Sequence, residues 1–231
     1  MNKKKEIQKI YDNFSTEFKS KEFSSVRKAL SNISKNNKND PKYLHNLGKF
    51  VIFYSLPSVN PEIMIIGDNP SWFHKKNPFL AKKNLEDVAG KIPKINSYKI
   101  HDHTFGNQIR NVFNLIGKES WLDKVVGLNR FWIQTGGGGT KELRNESNKI
   151  EQGVINRLEK ICEKNTRQMV EILSPKVAIL LGKKAQNSFS FIDRSELSNI
   201  QFCDVIHPAR GKWRQTASEI QYFFKQRKLK I

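Results

Sequence analysis

The sequence predicts an α/β protein with three layers (α/β/α) around a central, mostly parallel four-stranded sheet, plus an N-terminal helical extension. Three observations predict this fold. From residue 58 onward, short apolar runs alternate with longer amphipathic segments. Each apolar run ends at or near glycine or polar residues, as buried strands do. The first 57 residues instead carry apolar side chains at helical spacing. We therefore assign residues 1–57 to a basic helical extension and 58–231 to the α/β domain.

Three helices are predicted in the N-terminal extension. The first two each have an apolar stripe at three- and four-residue spacing. The stripes are Ile7, Ile10, Tyr11, Phe14 and Phe18, then Phe23, Val26, Leu30 and Ile33. The polar run 34–40 ends the second helix, and Pro41 suits the first turn of a third. That third helix is expected to carry Leu44, Leu47, Val51 and Tyr54.

The α/β domain begins with the strand 63–66, which stops at Gly67. A helix over 104–116 follows, with Gly117 as its C-cap. The second strand lies within 125–134 and is expected to end at four glycines, 136–139. A long helix spans 146–173, and the remaining elements are strand 177–181, strand 202–206 and a helix over 214–228. Strands that alternate with helices in this way imply right-handed crossovers and parallel pairing.

Composition narrows the classes of partner. The 231 residues include 41 Lys and Arg against 22 Asp and Glu, a net charge of +19, while 37% are apolar and 15 are Phe. A foldable chain with such a cation excess predicts a polyanionic partner, namely DNA, RNA or an anionic membrane face. The alternative is a basic surface that serves only solubility.

The cysteine count and the hydropathy exclude several kinds of site and of protein. Cys162 and Cys203 are the only cysteines, which excludes a disulfide framework, a zinc knuckle and a four-cysteine iron–sulfur site. No apolar run reaches membrane-spanning length, and the basic start lacks the apolar stretch of a signal peptide. We expect a cytoplasmic protein that does not insert into a membrane.

Polar, Gly- and Pro-rich sequence follows each predicted strand. Open α/β sheets bind ligands beyond the carboxyl ends of their strands. The segments expected there are 68–71, 136–139, 182–184 and 207–210. They contain an acidic residue, amides, lysines and a histidine, so this edge is the predicted site.

Three of these segments carry a family resemblance. PEIMIIGDNPSW (61–72) looks like the first motif of the uracil-DNA glycosylase superfamily, a strand ending in Gly-x-(Asp/Asn/Ala)-Pro. IHPARG (206–211) resembles its second motif, and SPKVAILLGKKAQ (174–186) resembles a strand and turn that lie between the two. The resemblance covers about residues 58–225 and leaves the N-terminal helices uncovered. The order of the three motifs and their placement at strand ends carry the resemblance.

The resemblance implies a catalytic group for hydrolysis of an N-glycosidic bond. Asp68 would activate water or stabilise the sugar cation, and Asn69 would orient the water. His207 would donate a hydrogen bond to the departing base and so stabilise its negative charge. The structural alternatives are that Asp68 or Asn69 caps a helix or forms an Asx turn, and that His207 is satisfied by backbone.

The resemblance also implies residues that bind the base. Asn129 would read the edge of a flipped-out pyrimidine, because an amide presents donor and acceptor side by side. Phe79 or Trp72 would stack on the base, with a core role as the alternative for either. Ser71 stands where the uracil-strict branch has a bulky tyrosine. We therefore hypothesise that the pocket admits a 5-substituted pyrimidine, such as a hypermodified base of viral DNA.

The remaining expectations concern the partner and the cofactor. Lys183, Arg210 and Lys212 are predicted to contact DNA, with Arg210 as a wedge or a phosphate contact. No metal or organic cofactor is implied, the product would be an abasic site, and a monomer without an obligate protein partner is expected.

Two alternatives remain open at this point. One is a module on the same fold that binds DNA or a modified base without cutting. The other is a metal-dependent nuclease that uses Asp68, Asp102, His103 and His207.

Overall fold

A computed structural model describes residues 2–36, 50–68, 89–101, 104–135, 140–145 and 149–229 of the protein. Its centre is a four-stranded, all-parallel sheet made of β1 (Ile63–Gly67), β2 (Val126–Asn129), β3 (Val177–Leu181) and β4 (Gln201–Val205). The strand order is β2-β1-β3-β4. With helices on both faces, this confirms the predicted three-layer α/β/α fold and its N-terminal helical region.

Alternation along the strands explains why helices cover both faces of the sheet. Met64 and Ile66 of β1 join one core cluster, and Ile63 and Ile65 join the other. Because successive strand residues point to opposite faces, β1 contributes to both cores. β3 and β4 divide their apolar side chains in the same way.

The first face is covered mainly by α1 (Lys3–Lys19), α2 (Ser24–Asn36) and the 25-residue α6 (Lys149–Leu173). The stripes predicted for the first two helices are buried, and they share one core cluster with the sheet and α6. Phe14 packs edge-on against Trp132, with ring centroids 4.7 Å apart. A single 3-10 turn at Lys21–Phe23 joins the two helices. The N-terminal helices are therefore packed directly on the sheet domain.

The second face is covered by α3 (Ser97–Ile100), α4 (Thr104–Leu115) and α9 (Trp213–Gln226). A 3-10 turn at Glu119–Asp123 leads from α4 into β2. Three further helices complete the fold: α5 (Thr140–Asn145), α7 (Gly182–Asn187) and α8 (Phe191–Glu196). None of the helices in the described ranges is both long enough and apolar enough to cross a membrane.

The predicted third helix is wrong in its described part, because Val51 and Tyr54 are not helical. Residues 50–54 are all buried and run antiparallel to β2, with bridges Phe50–Ile133 and Phe53–Leu128. The amides of Val51 and Tyr54 donate to carbonyls of the β2 region. Five consecutive buried residues suit an extended segment, whereas an amphipathic helix would expose some of them. Residues 41, 44 and 47 lie outside the described residues.

A second correction concerns the end of β2. The strand ends at Asn129, seven residues before the glycines 136–139, which lie outside the described residues. The chain leaves the sheet there because the amides of Arg130 and Phe131 donate to the carbonyls of Gly67 and Asp68. These bonds place the residues after β2 directly beside the end of β1.

Gly127 permits the close packing of α3 on β2. A Cβ at this position would lie 2.6 Å from Cζ of the buried Tyr98, closer than any normal contact. We expect Gly127→Ala to destabilise the fold by about 1–3 kcal/mol or more, because the ring must move within a packed core. Thermal unfolding would show a lower Tm.

Gly153→Ala is the matched control for this prediction. Gly153 lies inside α6, and a Cβ added there would have no neighbouring atom within 4 Å. Alanine there is expected to stabilise the protein by roughly 0.5–1 kcal/mol, since glycine is a poor helix former. Equal Tm changes for the two variants would contradict the packing argument.

Candidate active site

Three predicted site residues meet at the carboxyl edge of the sheet. Asp68 follows β1, Asn129 ends β2 beside Gly67, and His207 follows β4 by two residues. Gly182, at the end of β3, has φ +81°, and a Cβ there would lie 3.1 Å from the His207 Cβ. Glycine at this position therefore lets His207 lie close against the end of β3.

The Asp68 carboxylate is held by two cations. Arg130 donates to Oδ1 from Nη2 at 2.8 Å and from Nε at 3.1 Å. Lys184 Nζ lies 3.1 Å from Oδ2. The Asp68 side chain is only 21% exposed, whereas that of Lys184 is 47% exposed. Asp68 is thus fixed from the protein side by Arg130 and neutralised from the solvent side by Lys184.

Arg130 is the centre of this charge network, and sequence reasoning missed it. Its side chain is 4% exposed and also pairs with Glu163 at 2.7 Å and Glu159 at 3.5 Å, both on α6. Burial by itself lowers the pKa of Arg130. This effect is outweighed by the charge and hydrogen bonds of Asp68 and by the charges of both glutamates, so the pKa is raised. The sequence does contain a signal that could have identified Arg130. It is a charged residue inside the apolar run 125–133, and a buried charge requires partners.

His207 is fixed in position and in tautomer. The Ala209 amide donates to Nδ1 at 3.1 Å, so in the neutral ring the proton lies on Nε2. The preceding residue is held on both sides, because Ile206 N–H donates to Glu219 and Ile206 C=O accepts from Thr216. Burial lowers the pKa of His207, and the charge of Asp68 offsets this only in part. His207 therefore presents a neutral Nε2–H donor.

The depressed pKa of His207 predicts a pH dependence of stability. In the unfolded chain the imidazole titrates near 6.5, and in the folded protein it titrates at a lower pH. As pH falls below 6.5, the unfolded state takes up the proton first, so the free energy of unfolding decreases. His207→Gln should lose less stability than the wild type between pH 7 and 5, measured by urea unfolding. Parallel curves for both proteins would contradict the shift.

Phe105 lies between the predicted site residues, and the sequence did not single it out for function. Its ring is stacked on His207, with centroids 5.5 Å apart and planes 24° apart. Its Cζ lies 3.7 Å from the position of a Cβ on Gly67, and Asn129 Oδ1 lies 3.7 Å from the same point. Phe105 therefore links the ends of β1, β2 and β4 through one partly buried aromatic surface.

Asn129 is buried and oriented by the backbone. Its Nδ2 donates to the Val51 carbonyl at 2.9 Å, and 1% of the residue is exposed. This contact comes from the extended segment 50–54, which the sequence had predicted as helix. This bond holds Oδ1 on the side of Gly67, 3.7 Å from the position of a Cβ there.

The predicted DNA contacts are exposed at this edge. Lys183 follows β3, while Arg210 and Lys212 follow β4, and all three are exposed. Arg210 has φ +56° and Gly211 has φ +78°, so the chain turns sharply at this point.

Both cysteine thiols are buried and free, and burial raises the pKa of each to about 12.

Several predicted residues lie outside the described residues. They are Asn69, Ser71, Trp72, Phe79, Asp102, His103 and the glycines 136–139. Within the described ranges, no three His, Cys, Asp or Glu side chains are grouped so that they could hold a metal ion.

Comparisons with known proteins add no relative: neither the models of known protein families nor the curated proteins give a match to this chain.

Proposed function

We propose that this protein is a DNA glycosylase that hydrolyses the N-glycosidic bond of a flipped-out uracil or modified pyrimidine. The observation that carries the proposal is the meeting of Asp68, Asn129 and His207 at one sheet edge, where Phe105 stacks on His207 and lies beside Gly67. These are the residues that the resemblance assigns to catalysis and base reading. The sheet edge is also where open α/β proteins bind ligands.

The proposed reaction breaks the bond between C1′ of the sugar and the base nitrogen. The bonding electron pair leaves with the base, and His207 Nε2–H donates to a carbonyl oxygen of the base as negative charge develops. The oxygen of a water molecule bonds to C1′, and the proton it loses is balanced by protonation of the base. The products are the free base and an abasic site, with no metal or organic cofactor.

Asp68 has an electrostatic role in this proposal rather than that of a general base. Both oxygens of its carboxylate are already engaged, Oδ1 by Arg130 and Oδ2 by Lys184. Lys184 is half-exposed, and a DNA phosphate would compete with Asp68 for it. On DNA binding, Asp68 would lose one of its two counter-charges and face the developing sugar cation, while Asn69 orients the water.

Asn129 and Phe105 would bind the extruded base, the first through hydrogen bonds and the second by stacking. Phe79 and Ser71 keep the roles implied by the resemblance, with Ser71 leaving room for a substituent on carbon 5. Lys183, Arg210 and Lys212 would contact the DNA backbone, in keeping with the net charge of +19. We further propose that the protein acts as a cytoplasmic monomer, in repair or in defence against foreign DNA.

The test is to incubate the protein with duplexes that carry uracil, a thymine mismatch, 5-hydroxymethylated or glucosylated pyrimidines. Mass spectrometry would identify any released base, and alkali treatment would reveal abasic sites. We expect release of at least one pyrimidine in the presence of a chelator. Chelator-sensitive strand cleavage without base release would instead favour the nuclease alternative. Release of uracil alone would remove the hypothesis of an enlarged pocket.

The pairing of Asp68 with two cations also favours a second candidate, a DNA-binding module without catalysis. Asp68→Ala and Asn69→Ala separate the two functions. A glycosylase loses base release in these variants, whereas a binding module keeps its DNA affinity and has no base release to lose.

A further inference from the structure

A cavity of about 350 Å³, lined by charged and polar residues, opens beside Asp68 on the α6 side of the sheet edge. Four cations line it: Arg130 after β2, Lys141 and Arg144 on α5, and Lys184 on α7. Glu159 and Glu163 of α6 and Asn187 of α7 complete the described lining. The volume lies within the range of sites for small organic groups. None of the catalytic steps proposed above uses this cavity.

The lining presents both donors and acceptors, and this mixture limits the class of ligand. Guanidinium and ammonium groups only donate, whereas carboxylates only accept. An apolar group would displace water from these side chains and replace none of its hydrogen bonds, which is unfavourable. An anionic group would find three of the four cations already paired with carboxylates. Hydroxyl groups donate and accept at once, so several hydroxyls on one neutral group suit such a lining.

The cavity is also preorganised. Arg144 pairs with Glu159, and Arg130 is held between Glu163, Glu159 and Asp68. These ion pairs fix the walls before any ligand enters, so little side-chain entropy is lost on binding. Lys141 and Asn187 are exposed and can turn toward a ligand.

Two residues connect the cavity to the base site. Arg130 and Lys184 both line the cavity, and both hold the Asp68 carboxylate. Arg130 directly follows Asn129, the proposed base reader. A base bound at Asn129 would therefore lie next to a residue that lines the cavity.

We propose that this cavity binds a neutral, polyhydroxylated substituent, such as a sugar, carried by the pyrimidine that the enzyme excises. The proposal rests on the proposed glycosylase function and specifies its substrate class.

The experiment compares three duplexes of one sequence with 5-hydroxymethylcytosine, its glucosylated derivative or 5-carboxylcytosine at one position. Binding is measured by fluorescence anisotropy, and base release is measured by mass spectrometry. We expect the glucosylated duplex to bind about tenfold tighter than the hydroxymethyl duplex, as one or two additional hydrogen bonds would give. Lys141→Ala and Asn187→Ala should each reduce this preference about threefold or more. Lys160→Ala, which removes an exposed lysine outside the cavity, should keep it.

The outcomes separate the two proposals. In one outcome the glucosylated duplex binds more tightly, Lys141→Ala and Asn187→Ala weaken this preference, and no base is released. That outcome supports the cavity assignment and overturns the glycosylase function. Release of both neutral bases at equal rates, with equal affinity, overturns the cavity assignment and leaves the glycosylase function standing. Tightest binding of the 5-carboxyl duplex also overturns the assignment, since it identifies an anion site.

Discussion

Replacing His207 by alanine is expected to slow base release about 10²–10³-fold, the usual effect of removing one oxyanion donor. The Ala209 amide holds the ring in the tautomer that donates from Nε2, and burial keeps the ring neutral by lowering its pKa. The donor acts on charge that develops only as the base departs. The loss should therefore fall on kcat, with KM nearly unchanged. Single-turnover base release on the preferred duplex would measure it.

His207→Asn is the control for this prediction. It retains a donor of smaller reach, so its rate should lie between those of wild type and His207→Ala. DNA affinity by anisotropy should be equal for all three proteins. A loss of less than tenfold in His207→Ala would show that the histidine has the structural role instead.

The second large effect is expected from Arg130→Met, which removes the centre of the charge network. Asp68, Glu159 and Glu163 would then remain at a partly buried site without their shared partner. Breaking such a pair typically costs about 3–5 kcal/mol, and we expect the lower end because the three carboxylates are partly exposed. Urea unfolding at pH 7 would measure the loss.

A comparison with Arg130→Lys distinguishes the electrostatic cause of this loss from a packing defect. Arg130→Lys keeps the charge but not the two-point contact with Asp68, so it should lose less stability than Arg130→Met. Equal losses in the two variants would contradict the electrostatic explanation.

Arg130→Met should also impair base release in whatever fraction stays folded. Arg130 makes no proposed contact with the base or the sugar, and it acts by positioning Asp68. Its loss should therefore lower kcat, and Arg130→Lys should recover part of it. If a folded Arg130→Met protein has an unchanged kcat, the positioning of Asp68 by Arg130 is not part of the mechanism.

The sequence by itself determined the layer architecture and most elements. All four strands were predicted, because apolar runs such as 177–181 end abruptly at turn residues. Helices α1, α2, α4, α6 and α9 followed from their periodic apolar stripes. The short helices α3, α5, α7 and α8 were not predicted, because four to six residues are too few to establish a period.

The expectation that ligands bind beyond the carboxyl ends of the strands also predicted Asp68 and His207, since parallel strands end at a common edge whatever their order. Asn129 was predicted from the family resemblance, because the second strand was expected to end at the glycines 136–139 and not at Asn129. Only the tertiary structure decided the strand order, the antiparallel pairing of residues 50–54 with β2, and the partners of Asp68. Phe105, Arg130 and the cavity on α6 depend on contacts between residues far apart in sequence. A periodic pattern reports which side of an element is buried. It does not report which distant side chain neutralises a charge or stacks on a ring, because those contacts exist only once the layers have packed.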